Sequence, residues 1–434
     1  MKARTHLVIR TLPLLLAGLF SGTASAAGFG LLEQNASGIG NAYAGSAALA
    51  EDASTIFFNP AGMTRLAGRS FAVGADAVRP SNKFRNNGSI GALGRPAGGD
   101  GGDAGDWAGI PFGYLSWQLS PSLFVGLGLS APFGLKTEYD PSWIGRFQAT
   151  KSEIVSINVN PSVAWKVNDM VSLGFGVSYM RFEAELGNKV SLGAAGEIDA
   201  KVQGDDDAWG WNVGALFQVS PSTRIGAAYR ASIKQHLEGD VSFGRTGVAL
   251  VDAGIAANPA LANVGIRADI ELPDSFTLSV VQQLTDRWEM VGDLSWTGWS
   301  KIPRLQIYRT SGALSGTLLS QEELQWRDTY RVALGGNYKY NDQWKVRFGI
   351  AYDQSPVGDT YRLPRLPDND RTWLSIGAQY KPNKDAAIDF GYTYIFVKDA
   401  PINNNQGAQA AKGLLRGEYE SNVHVLGAQY SQTF

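Results

Sequence analysis

Side chains that most often carry catalysis are scarce in this chain of 434 residues. It has no cysteine and three histidines, His6, His236 and His424. Thiol chemistry, thiolate metal sites and disulfides are therefore excluded, and a serine–histidine site has little material. Asp205-Asp206-Asp207 reads as a solvated rim. Gly99-Asp100-Gly101-Gly102-Asp103 is one copy of a calcium-type repeat that needs many copies to stack, so it reads as an outer loop. No phosphate-cradling motif is present. The expectation is no enzyme, no cofactor and no metal. What remains is the chemistry of apolar contact. The loop from Gly244 to Gly265 carries Val248, Leu250, Val251, Ile255, Leu261 and Val264, where a solvent-facing loop should be polar. Val248, Val251 and Ile255 have helical spacing before a break at Asn258-Pro259. Such a surface is suited to capturing an oily solute.

The first 26 residues have the layout of a secretory leader. Lys2, Arg4 and Arg10 form a positive start, Leu12 to Phe20 an apolar stretch, and Ala24-Ser25-Ala26 a small-residue cleavage site. Removing the three basic residues takes the net charge from −2 to −5, the wrong sign for nucleic-acid binding. With mean hydropathy −0.13 and no apolar run of about 18 residues, the mature part is not a helical membrane protein.

Beyond residue 68, apolar and small or polar residues alternate. Val171, Leu173, Phe175, Val177 and Tyr179 interleave with Ser172, Gly174, Gly176 and Ser178, and the same parity runs through Val155 to Trp165 and Trp344 to Tyr352. The second face carries Arg331, Lys339, Lys345, Arg347, Asp353, Glu289 and Asp293, which a closed soluble core cannot bury unpaired but a wet lumen can hold. Tight turns such as Asn168-Asp169 and Ser220-Pro221 alternate with longer stretches. The pattern predicts an all-β fold: a transmembrane antiparallel β-barrel of about 14 strands over residues 69–434, short turns toward the periplasm and long loops outside. The chain ends in Phe434, an outer-membrane type of ending.

Residues 27–68 do not alternate, and 17 of these 42 positions are Ala or Gly. This segment is expected inside the lumen as a hatch, with Asn41 to Ala53 able to form a helix and Asn59-Pro60-Ala61-Gly62 a turn. Ala27-Gly28-Phe29, Ser37 to Gly45, Glu51-Asp52-Ala53 and Asn59-Pro60-Ala61, followed by Phe133 to Tyr139, Asp353 to Val357 and Leu366 to Ser375, resemble the FadL family of outer-membrane transporters for long-chain fatty acids and other hydrophobic compounds. The resemblance implies a monomeric barrel, an outer apolar groove, an inner pocket reached by Ala27, Gly28 and Phe29, and a lateral gap beside a kinked third strand. It implies a gating role for Asn59, Pro60 and Ala61.

A chain of about 15 methylenes gains on the order of 12 kcal/mol on leaving water, so a workable path keeps it against apolar surface and releases it sideways into lipid. Pro132 lacks the N–H a ladder needs, and a closed barrel has no free edge to hide it on. Pro132, Phe133 and Gly134 are therefore expected to frame the exit, on a strand whose inward face reads Gly126, Gly128, Ser130, Pro132 and Gly134. The groove is expected to be shared with a loop at 187–206. Arg331 and Arg347 project inward and are candidate partners for a carboxylate head group. The expected partners are a hydrophobic small molecule, either a fatty acid or an aromatic or alkane hydrocarbon, and outer-membrane lipid and lipopolysaccharide. A general porin or a barrel enzyme are the readings from other classes.

Overall fold

The computed structural model describes residues 27–92, 95–404 and 409–434; the leader expected over 1–26 lies outside them. Strands β1 (Arg69–Asn86), β2 (Ala108–Gln118), β3 (Leu123–Ser130), β4 (Gly134–Glu138), β5 (Lys151–Lys166), β6 (Val171–Ser191) and β7 (Glu197–Ser220) form one half of the wall. The other half holds β8 (Thr223–Arg230), β9 (Ile233–Phe243), β10 (Val264–Leu272), β11 (Ser275–Gln283), β12 (Trp288–Thr297), β13 (Arg304–Arg309), β14 (Leu318–Glu323), β15 (Thr329–Lys339), β16 (Trp344–Asp353), β17 (Arg371–Tyr380), β18 (Ala386–Val397), β19 (Ala400–Asn404) and β20 (Leu415–Thr433). Interrupted strands stack end to end, so these segments make a closed antiparallel barrel of 14 strands. β1 pairs β20 from Ser70↔Thr433 to Asn86↔Gly417, which joins the two ends of the sheet. Among the described residues no helix is long and apolar enough to cross a membrane.

Period-two alternation fixes which face meets lipid. Leu115, Leu127, Phe175, Leu278, Leu334, Ile350 and Ile376 are exposed outward, while Ser116, Ser162, Ser172 and Asn337 are buried toward the lumen.

The lumen is filled by the N-terminal segment. Helices α1 (Ala36–Ile39), α2 (Ser46–Leu49) and α3 (Thr55–Phe58) and a 3-10 turn at Pro60–Arg65 are far shorter than the single helix Asn41–Ala53 that composition allows. Gly45 at φ 81 and the left-handed Ala42, Tyr43 and Ala50 interrupt it, because the segment follows seats in the wall rather than its own propensity. Those seats are glycines. A Cβ at Gly226 would overlap the Ala47 carbonyl, and one at Gly174 the Ala61 amide. Gly377 and Gly391 make the same room for Gly40 and Ile39. Several of the 52 glycines are thus the imprint of the hatch on the inner wall.

One expected loop is not a loop. Residues 187–206 lie largely in a long hairpin, β6 running to Ser191 and β7 beginning at Glu197. Ladder pairs from Gly187↔Lys201 to Ser191↔Glu197, with the Lys189–Asp199 ion pair across them, carry the strands beyond the membrane.

Candidate lateral opening and lumenal chambers

The third strand breaks where proline predicts a break. β3 pairs β5 up to Ser130↔Asn158 and β4 resumes at Gly134↔Val155. Three residues, Ala131, Pro132 and Phe133, thus face two on β5, a bulge of one residue. The extra residue reverses the pleat. Gly134 is therefore not on the inward face of a continuous strand: Leu135 and Thr137 turn inward, and Lys136 and Glu138 outward. β2 pairs β3 only as far as Gly113↔Leu129 and has no ladder with β4. The wall is unpaired between the upper part of β2 and β4.

Backbone groups freed by this break are taken up by the hatch. The Leu31 N–H donates to the Pro132 carbonyl (2.8 Å) and the Gly134 N–H to the Phe29 carbonyl (2.9 Å). The Gln34 amide donates to the Ala131 carbonyl (2.7 Å) and accepts from the Ala131 N–H (3.0 Å), replacing a missing strand. Ser156 Oγ accepts from the Phe133 N–H (2.9 Å).

Phe29 stands at the centre of this contact. Its ring lies 4.9 Å from Trp299, 5.6 Å from Trp326 and 5.8 Å from Phe133, centroid to centroid. Gly28 is left-handed at φ +66 and presses against the Trp299 ring, so no side chain fits there. Its N–H donates to Asp368 Oδ2 (2.9 Å), and Asp368 also receives Ser355 Oγ (2.7 Å) and Arg371 Nε (2.9 Å).

Two chambers meet here. Above lies a space of about 650 Å³ lined by Phe29, Leu135, Ile154, Leu186, Ile270, Leu305, Leu324, Trp326, Leu363 and Leu366, among others. Below it an open space of about 1120 Å³, solvent included, is bordered by Ala27, Gly30, Leu31, Phe57, Pro132, Phe133, Trp299, Arg230, Arg331, Asp293 and Asp353. Phe29, Gly30 and Leu31 stand between them, beside the broken strand.

Sequence reasoning missed the upper chamber, although a signal was present. On β6 the odd, outward residues are apolar up to Tyr179 and then charged, Arg181, Glu183 and Glu185. The even, inward ones change from Ser172, Gly174 and Ser178 to Met180, Phe182 and Leu186. β10 repeats the inverted order, with Val264, Ile266, Ala268 and Leu272 buried. The inversion marks where the barrel leaves lipid and its interior becomes the apolar place.

Two cations in the lower cavity form no close ion pair among the described residues, although Asp293 and Asp353 border the same space. Arg230, which the sequence did not single out, donates to the Phe57 carbonyl (2.9 Å) and Ser178 Oγ (3.3 Å) and lies over the Phe57 ring (4.5 Å). Arg331 donates to the Ala42 carbonyl, leaves Nε without a partner and sits 5.1 Å from the Trp373 ring. Arg347 lies elsewhere, held by Asp389 and by Glu51 at 2.7 Å beneath α1.

Of the loop residues, Val248 and Leu250 are exposed, Leu250 to 85%; Val251 and Leu261 are half-buried, and Ile255 and Val264 are buried. Helix α4 (Ala249–Ala257) carries three of them, Leu250, Val251 and Ile255; Val248 caps it, and Leu261 and Val264 follow its end. Ile255 faces the protein, so Val248, Leu250 and Val251 are the outward surface.

Asn59 ties the hatch to the wall. Its carbonyl oxygen accepts from the Ala61 N–H (3.0 Å), and its amide donates to the Ala47 (2.7 Å) and Ala215 (3.0 Å) carbonyls. Pro60 opens the 3-10 turn, and Ala61 is fully buried against Gly174. Asn59→Ala removes a cap and the side-chain donor to the buried Ala47 and part-buried Ala215 carbonyls, a cost of about 2 kcal/mol. Hydrogen exchange at residues 47–62 should accelerate roughly 30-fold while the barrel amides stay protected; unchanged exchange would show that this tether does not hold the hatch.

Comparison with known proteins agrees with this architecture. Residues 17–434 match the family model described as outer membrane protein transport protein (OMPP1/FadL/TodX). The long-chain fatty acid transport protein of Escherichia coli K12 is 29% identical over 96% of both chains, and the 47 kDa outer membrane protein of Pasteurella multocida 33% over 91% of this chain and 92% of its own. A FadL homologue from Pseudomonas aeruginosa superposes with TM-score 0.86 at 28% identity, covering 94% of this chain and all of that one. The Ralstonia pickettii toluene transporter TbuX shares the fold, with TM-score 0.67 at 19% identity over 92% of this chain and 98% of its own. The chain belongs to the OMPP1/FadL/TodX family of outer-membrane transport proteins.

Proposed function

We propose that this protein is a passive outer-membrane transporter for long-chain fatty acids or related hydrophobic compounds, which it passes sideways through its own wall. The observation that supports it is that the wall between β2 and β4 is unpaired beside the lower cavity and that the broken strand at Pro132–Gly134 is bonded there by the hatch segment Phe29–Leu31 rather than by β2. Residues 1–26 serve as a removed leader and 27–68 as the hatch of a monomer. Ligand is captured on the outer loop, enters the apolar upper chamber, passes Phe29 when the N-terminal residues shift, and rests in the lower cavity. From there it leaves between β2 and β4 into the outer leaflet, where lipid and lipopolysaccharide surround it. At no stage is the chain solvated, which removes the roughly 12 kcal/mol cost of release into water. The lower cavity suits a carboxylate because the hydrogen bonds of Arg230 and Arg331 there go to neutral acceptors; an aromatic hydrocarbon would use the apolar lining alone.

The test is uptake in cells lacking their own transporter, with single-channel recording in planar bilayers alongside. Labelled long-chain fatty acid should enter while the bilayer stays nearly silent. A large steady current would instead make the protein a porin. Leu250→Ser together with Val251→Ser should raise the substrate concentration for half-maximal uptake about 5-fold and leave the saturating rate unchanged. An unaltered concentration dependence in the folded variant would remove the loop from the path.

A further inference from the structure

On the outer surface of the barrel the outward residues change from apolar to charged where the wall leaves hydrocarbon, and the sign of that charge differs around the rim. On β6, β7, β9 and β10 it is acidic: Glu183, Asp205, Asp207, Glu238, Asp240 and Asp269 are exposed there. Arg181 among them is taken by Glu183 (2.8 Å) and Asp205 (2.9 Å). At the seam where β1 closes on β20 it is basic. The outward face of β1 reads Phe71, Val73, Ala75 and Ala77, then Arg79, Ser81, Lys83 and Arg85. On β18 the aromatic residues Tyr392, Tyr394 and Phe396 lead to Lys398 just past the strand end. Ladder pairs Arg79↔His424 and Tyr394↔His424 set these strands side by side. The nearby acids are occupied. Glu420, opposite Lys83, is held by Arg85 (2.6 Å), and Asp103 accepts from Ser81 Oγ (2.6 Å) and the Asn82 N–H (2.8 Å). Arg79, Lys83 and Lys398 are exposed and form no ion pair among the described residues.

We propose that this strip seats one lipopolysaccharide molecule, its phosphorylated disaccharide on Arg79, Lys83 and Lys398 and its acyl chains along the outer faces of β1 and β2. The inference deepens the reading that lipopolysaccharide surrounds the barrel, rests on that reading, and does not depend on which solute is carried. Lipid phosphates lie just above the hydrocarbon, at the level where the outward face of β1 turns from Ala77 to Arg79. A cation without a partner at that level gains a charge-assisted hydrogen bond to a phosphate oxygen. Arg79 and Lys83 are four residues apart, about 13 Å along the strand, so one phosphate cannot satisfy both. A disaccharide with a phosphate at each end can, and a phospholipid with a single phosphate cannot. Aromatic rings border the strip, as at other barrel interfaces: Arg79 lies 5.9 Å from the Trp107 ring, and Tyr394 lies 4.9 Å from His424. Below Arg79 the wall is shallow, because Ala77 pairs with Gly109 and Ala75 with Pro111. A Cβ at Gly109 or Gly113 would meet nothing within 4 Å, which leaves room for a chain to lie flat. The unpaired edge of β2 is the far side of this trough, so the bound lipid flanks the lateral opening.

The experiment uses the protein purified from outer membranes in detergent and stripped of native lipid. Lipid A bearing both phosphates is the probe, monophosphoryl lipid A and phosphatidylglycerol are the comparisons, and native mass spectrometry reads stoichiometry and affinity. One lipid A should be retained per barrel, at least about 10-fold tighter than either comparison. Arg79→Gln combined with Lys83→Gln should weaken it about 30-fold and erase the preference over the monophosphoryl form. Arg181→Gln, on the acidic side, should change it less than about 2-fold. A double variant that binds as the wild type does, or an equal loss in Arg181→Gln, overturns the seat. Equal affinity for phosphatidylglycerol also overturns it, by making the strip a surface for any anionic lipid. Should the double variant not fold, Lys398→Gln decides in its place: a loss of about 5-fold supports the proposal and an unchanged affinity refutes it. Uptake of labelled fatty acid by the wild type is scored separately, so failure of lipid A binding and failure of the transport reading are told apart.

Discussion

Deletion of Pro132 should abolish uptake while leaving substrate binding within about 2-fold of wild type. β3 and β4 differ in register against β5 by one residue, since Ser130 pairs with Asn158 and Gly134 with Val155. Removing one residue aligns the two into a single strand whose pleat still turns Leu135 and Thr137 inward. The proline that cannot donate to a ladder is lost in the same step. A continuous strand then presents free N–H and C=O groups toward the unpaired part of β2, residues 108–112, and pairing there satisfies groups that lipid cannot. The seam closes. The upper chamber, built from Leu186, Ile270, Leu305 and Leu324, and the arginines below are untouched, so ligand still enters. Its remaining exit leads past the hatch into water, which restores the cost of about 12 kcal/mol for a chain of about 15 methylenes. Uptake of labelled fatty acid by cells, and equilibrium binding to purified protein, are the two measurements. Undiminished uptake by a folded deletion variant would mean that the path does not cross the wall at β3.

The barrel was legible because period two is a local signal: each strand from Val171 to Tyr179 or Trp344 to Tyr352 states its own inside and outside. Pro132 was legible for the same reason, being a residue whose backbone chemistry conflicts with its surroundings. The path of the hatch was not. Its turns at Ala42, Tyr43 and Ala50 adjoin Ile39, Gly40, Asn41 and Ala47, which seat against Gly391, Gly377, Gly349 and Gly226, positions far along the chain on different strands. The upper chamber could have been read from the inversion of parity beyond Tyr179, where charge moves outward and Phe182 and Leu186 inward. A uniform rule of polar inside and apolar outside hid it. The arginines show the limit of parity in another way. It placed Arg331 and Arg347 inward alike, yet Glu51 from the hatch and Asp389 from β18, beyond the intervening β17, bind Arg347, and no single-strand pattern contains those partners.

That difference makes a prediction about selectivity. Arg230→Met and Arg331→Met should each weaken long-chain fatty acid binding about 10- to 100-fold, the span of a charge-assisted hydrogen bond worth about 1.5–3 kcal/mol. Methionine keeps most of the volume and the apolar stem while removing the donors. Both arginines now bond to groups that do not need a charge: the Phe57 carbonyl and Ser178 for one, the Ala42 carbonyl for the other. A carboxylate entering the cavity can therefore take free donor capacity such as Arg331 Nε without breaking an ion pair. The same replacements should change toluene binding less than about 2-fold, since a neutral ring has no acceptor to offer them. Arg347→Met is the control. It leaves Glu51 with Lys345 alone and Asp389 with only the Gln379 amide, and should loosen the hatch without separating the two ligands. Equal losses for fatty acid and toluene would assign Arg230 and Arg331 to the shape of the cavity; unchanged fatty acid binding in both variants would place the carboxylate outside it. A loss confined to the acid would mean that one apolar conduit admits both classes of solute and that its polar tail partners alone decide how long each one stays.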